Sequence, residues 1–154
     1  MSDKNLFIKV GKIFIAITTL CISFNSVADF EPYPGKHQVR LISVDAANML
    51  TVNFETWPGF GKTLSVTLPD LALPGLRMEP SACELELAQK AMLFTVEFLA
   101  SAKSISVNNL RMETSADDYG TANVYTEKGS LGQGLIKEGL ARPSSIDSET
   151  PWCK

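Results

Sequence analysis

The sequence predicts a small α+β domain, mainly β, in which five strands and two to three helices build a compact or barrel-like architecture. Three observations carry this. Apolar and polar residues alternate in three short runs between His37 and Leu68, the period of half-buried strands. Serine-led helical patterns open at Ser81 and Ser130. Two more alternating runs lie between those helices.

The elements follow in order. Residues 29–36 (DFEPYPGK) are rich in Pro and Gly and read as a lead-in. HQVRLISV, residues 37–44, alternates as a first strand, and His37, beside Lys36 in a polar stretch, is expected to be exposed. Asp45-Ala46-Ala47-Asn48 is a turn by position, and LTVNFE, residues 50–55, is the second strand. Trp57-Pro58-Gly59-Phe60-Gly61 is a loop. Trp57 has two placements there: packed beneath the loop, the commoner fate, or exposed with Phe60 as a ligand contact. TLSVTL, residues 63–68, is the third strand. Pro69 and Pro74 bracket a stretch that cannot remain a central strand for long. Leu71, Leu73 and Leu76 make that stretch apolar, which suits either a protein-binding patch or core filling.

Ser81-Ala82-Cys83-Glu84 is a capping box, and Leu87, Ala88, Ala91, Phe94, Thr95, Phe98 and Leu99 recur behind it at helical spacing. This helix should end near Ala100. Ser104 to Val107 with Leu110, and Ala122 to Tyr125, supply strands four and five. Ser130-Leu131-Gly132-Gln133 opens a short helix through Glu138 that Gly139 stops.

The first 28 residues have a different character. Lys4, Lys9 and Lys12 precede an apolar run from Ile13 to Phe24, about 12 residues against the roughly 20 that a spanning helix needs. Ser26-Val27-Ala28 follows, with small residues where a signal peptidase reads. This is the layout of a secretory signal cut after Ala28, which places the mature chain in the periplasm or outside the cell, without a transmembrane anchor. The mature chain, Asp29 to Lys154, holds 11 basic and 16 acidic residues, a net −5. Proteins that grip nucleic acid by its phosphates normally present a basic face, so nucleic acid is a disfavoured partner. Once Cys21 leaves with the signal, Cys83 and Cys153 remain, an even number in an oxidising compartment. A disulfide between them is expected, tying down the tail, residues 144–154. Two Cys and the single His37 are too few ligands for a closed zinc site.

Several stretches together resemble the thermonuclease, or staphylococcal nuclease-like, family. SLGQGLIKEGLARP (residues 130–143) looks like its late helix and Gly-Leu-Ala exit. Tyr119-Gly120 before Ala122-Asn123-Val124-Tyr125 looks like its Tyr-Gly-Arg strand. Ala82-Cys83-Glu84, Leu50-Thr51-Val52, Trp57-Pro58 and the ending Pro151-Trp152-Cys153 fit exported bacterial members. The resemblance implies a five-stranded OB-type barrel over residues 37–143, with helices packed on it. It also implies phosphodiester hydrolysis with calcium, but the positions that carry that chemistry have changed. The first acidic calcium ligand falls on Asn48, the phosphate-gripping Arg on Thr67 and the second calcium Asp on Ala72. The Glu that orients the water falls on Gly75, and the Arg of Tyr-Gly-Arg on Thr121. Asp118 reverses a charge beside Tyr119, in what would be a residual cleft.

Phosphoryl transfer needs positive charge where negative charge develops, and removing one such donor costs about 3–4 kcal/mol. The resemblance therefore implies a scaffold without the catalytic site and without a cofactor, acting by binding, in the first place a protein partner in the cell envelope. Two alternatives remain. One is a divergent calcium-dependent nuclease whose site has moved onto Asp45, Asp70, Arg77 or Glu79. The other is a protein that binds single-stranded nucleic acid.

Overall fold

Period-two alternation runs through five long strands of the computed structural model, which describes residues 30–76, 79–112, 114, 116–145 and 150–153. The expected signal segment, residues 1–28, lies outside the described residues. The order is β1 (Phe30–Ala46), β2 (Met49–Trp57), β3 (Phe60–Thr67), the short β4 (Leu71–Ala72) and α1 (Ala82–Ala100). Then come β5 (Ile105–Met112), β6 (Tyr119–Thr126), the short β7 (Gly129–Ser130), α2 (Leu131–Lys137) and the short β8 (Arg142–Pro143).

The five long strands close on themselves. β1 pairs antiparallel with β2 and with β5, β2 with β3, and β5 with β6. The ring shuts where β3 and β6 run parallel, with Ser65 opposite Tyr119, Val66 opposite Gly120 and Thr67 opposite Thr121. A closed five-stranded barrel with two helices, mostly β, is consistent with an OB-type α+β fold. The alternation sends Leu50, Val52, Leu64, Val66, Val107 and Val124 inward, where each is fully buried. Burying one such side chain contributes about 1.5–3 kcal/mol, so the barrel interior is the main store of stability.

Residues 30–36, expected as an irregular lead-in, instead form the first part of β1. Pro34 and Gly35 are accommodated because the β1–β5 register slips on both sides of Tyr33, and a proline at an irregular site costs no ladder hydrogen bond. His37, expected to be exposed, is half-buried. Its Nε2 lies 2.8 Å from the Pro34 carbonyl, and its ring packs edge-on against Phe54 at 5.2 Å between centroids.

α1 begins as its sequence predicts. The Ser81 hydroxyl accepts from the Glu84 N–H, and the Glu84 carboxylate accepts from the Ser81 N–H. Ala91, Thr95 and Leu99 form its buried face, and the Thr95 hydroxyl donates to the Ala47 carbonyl across 2.8 Å, joining the helix to the β1–β2 turn. α2 buries Leu131 and Leu135. Gly134 leaves room for Phe94 of α1: a β-carbon at that position would stand 3.2 Å from the ring. Cys83 at the start of α1 and Cys153 in the tail lie at disulfide distance, with Cα atoms 6.4 Å apart.

Candidate functional site

The parallel seam that closes the barrel also gathers the positions singled out by the sequence. Thr67 on β3 faces Met49 on one side and Thr121 on the other. Thr121 in turn faces Arg111 across β5–β6. Asn48 adjoins this row, its carbonyl accepting from the Leu68 N–H at 2.8 Å. The fold thus brings Asn48, Thr67 and Thr121 together, as a neutral patch of one amide and two hydroxyls.

Ala72 and Gly75 diverge from that patch. Ala72 pairs with Arg142 in the small β4–β8 ladder. The Arg142 guanidinium donates to the carbonyls of Thr150 and Pro151 and lies over the Trp152 ring at 4.1 Å, so it pins the tail. Gly75 has φ +79°, a conformation side chains rarely adopt, and a β-carbon there would sit 3.2 Å from the Ala88 β-carbon. A glutamate at this backbone position would be strained and would press on α1.

Asp118 and Tyr119 sit at the start of the seam. The Asp118 carbonyl accepts from Ser65 N–H, and its carboxylate lies 3.9 Å from Lys62 Nζ. Tyr119 is exposed on the outer face. Four residues were candidates for a moved site. Asp45 accepts hydrogen bonds from the hydroxyls of Thr51 (2.6 Å) and Ser43 (2.8 Å), which hold its carboxyl below the usual range, the Thr51 bond most. Asp70 has φ +58° and lines a small polar hollow of about 110 Å³ with Asn109, Arg111, Thr121 and Asn123. Glu79 is exposed, and Arg77 lies outside the described residues.

Arg111 is the residue that sequence reading missed. It is the one described Arg set beside the neutral row, and its signal was its place in the β5 alternation. The route to Thr121 was hidden by a slip in the β5–β6 register at Asn109, whose φ is +53°. The calcium that the resemblance implies does not fit these residues. A hard divalent cation takes six to eight oxygen ligands with several carboxylates, whereas Asn48 offers one amide oxygen and Ala72 and Gly75 offer no side-chain oxygen. Among the described residues no three His, Cys, Asp or Glu side chains cluster closely enough to hold a metal ion.

The second feature is apolar. The loop at Leu73–Leu76 and helix α1 enclose a cleft of about 440 Å³ between Gly75, Leu76, Leu85, Ala88 and Met92, with Asp45 at its edge. The leucine-rich loop divides between its two expected roles. Leu73 is buried in the core, whereas Leu76 is 75% exposed at the cleft. Trp57 is also corrected: it does not pack beneath its loop but stands 70% exposed, with Phe60 at 69%, because the β2–β3 hairpin ends beyond the core.

The fold and site together define a closed five-stranded barrel with a polar seam, in which Arg111 lies beside two threonines, and an apolar cleft against its long helix. The chain matches no known protein-family model and no curated protein sequence.

Proposed function

We propose that this chain is a non-catalytic, nuclease-like OB module of the cell envelope, periplasmic or secreted, that works by binding a protein partner. The observation that carries this reading is at Gly75. Where the resemblance puts the water-orienting Glu, a glycine lines an apolar cleft between a leucine-bearing loop and α1. Exposed apolar surface rimmed by polar residues marks sites where another protein docks. Supporting it, Thr67 and Thr121 meet where two arginines would grip phosphate. Cys83 and Cys153 at disulfide distance suit an oxidising compartment. No helix among the described residues is long and apolar enough to cross a membrane.

The test is incubation of the purified chain with single- and double-stranded DNA and RNA in calcium. No cleavage above buffer is expected; robust cleavage abolished by a chelator would sink the reading. A second reading has Arg111 in its favour: salt-sensitive binding of single strands through the seam. The net −5 of the mature chain opposes it. Binding that falls with added salt and disappears in Arg111→Ala would establish it.

A further inference from the structure

The apolar cleft does not stop at the loop. Leu85, Gln89, Met92 and Val96 follow one another at helical spacing along the outer side of α1. Leu85 and Val96 are exposed and Met92 is half-buried. Eleven residues of helix cover about 16 Å. The cleft therefore runs on into an apolar stripe of α1 about three helical turns long, broken only by Gln89. A small compact ligand would fill the cleft and leave the stripe in water.

Charge sorts the elongated occupants. Among the described residues Asp45 is the one charged side chain lining the cleft, on the barrel side. On the opposite flank of α1, Glu86, Lys90 and Glu97 share a face at helical spacing, with the exposed Leu93 among them. Lys90 offsets one of these acids, so among the described residues both rims are acidic on balance. A second copy of this chain docking by the same face would bring acid against acid. A membrane surface carrying anionic lipid would be repelled in the same way.

We infer that the cleft and the stripe beside it seat an amphipathic helical segment of a partner protein, about three turns long, with apolar anchors on one face and Lys or Arg on its flanks. One apolar anchor enters the cleft beside Ala88 and Met92, and a basic residue of the segment meets Asp45. This is helix-in-groove recognition, in which spaced apolar anchors give affinity and flanking charge gives orientation. The inference rests on the binding-module reading and adds the chemistry of the partner.

The experiment uses the full chain and three labelled 15-residue peptides. The first has a Leu face flanked by Lys, the second the same Leu face flanked by Glu, and the third the Lys composition scrambled so that no face forms. Fluorescence anisotropy at moderate salt is expected to show the first peptide binding about tenfold or more tighter than either control, a difference of roughly 1.4 kcal/mol. Leu85→Ser, at an exposed position, and Ala88→Leu, which fills the cleft, should each weaken it about tenfold while thermal melts confirm folding. Asp45→Asn should narrow the gap between the Lys and Glu peptides.

Equal affinity for all three peptides overturns the inference. So does a preference for Lys that neither Leu85→Ser nor Ala88→Leu reduces, since that is charge alone. Concentration-dependent dimerisation abolished by Leu85→Ser also overturns it, by making this face a self-interface. Calcium-dependent nuclease activity would instead remove the binding-module reading, so the two failures are told apart by separate assays.

Discussion

Replacing Cys83 and Cys153 by Ser should destabilise the fold by an amount that the loop length sets. The two cysteines are 70 residues apart. The chain-entropy relation gives about 15 cal/mol/K for closing such a loop in the unfolded chain, or roughly 4 kcal/mol at 25 °C. Unfolding entropy near 60 °C is about 2.1 cal/mol/K per residue, so a domain of the roughly 125 residues from Phe30 onward should lose some 15 °C in Tm. This is an upper figure, because the uncrosslinked protein can also release its tail. Arg142 opposes that release through the Thr150 and Pro151 carbonyls and the Trp152 ring. The double Cys→Ser change should therefore cost less in an Arg142→Ala background than in the wild type, a coupling that a mutant cycle reads directly. Calorimetry of the four proteins is the assay. A Tm loss under about 3 °C from the Cys pair alone, or strict additivity with Arg142→Ala, would refute the reasoning.

Further outcomes concern the seam, the helix and the cleft. Thr95→Val should cost about 1–3 kcal/mol in urea melts, because it leaves the buried Ala47 carbonyl without its hydroxyl donor. Gly120→Ala should cost about 1–3 kcal/mol or more, since a β-carbon would stand 2.6 Å from the Arg111 carbonyl oxygen on the neighbouring strand; unchanged stability would mean that the β5–β6 pairing yields freely. Asp45 has a lowered carboxyl pKa in the fold, owing first to Thr51 and then to Ser43. Its stabilising effect is thus present above the ordinary carboxylate value of about 3.9 and is lost as pH falls through the lowered value, so wild type and Asp45→Asn should converge in urea melts as pH is taken below the ordinary carboxylate range. Trp57→Ala should change stability by less than about 0.5 kcal/mol, as expected for a side chain 70% exposed at a hairpin tip.

How much could be read beforehand depends on how local the deciding forces are. Leu50, Val52, Leu64 and Val66 announce their burial through period two alone, since neighbouring residues in a strand must face opposite sides. The α1 start at Ser81 and Glu84 was equally legible, because a capping box is made within four residues. The strand formed by residues 30–36 was not, because Pro34 and Gly35 disfavour it locally and only the pairing with β5 sustains it. Trp57 was misplaced for a related reason: whether a hairpin tip reaches past the core depends on the lengths of both strands, not on the tip's own residues.

For the candidate site, the residue types at 48, 67, 72, 75 and 121 show by themselves that neither an acidic ligand pair nor an Arg pair stands there. Chemistry of that kind needs particular side chains, and their identity is a property of the sequence. What only the tertiary structure decided is adjacency. Thr67, Thr121 and Arg111 form one row because β3 and β6 pair in parallel across more than fifty residues of chain, while a slip at Asn109 sets which β5 residue faces Thr121. The apolar cleft arises in the same way. Leu76 and Leu85 are unremarkable apolar residues in sequence, and they come to line one cleft only where the loop folds back against α1.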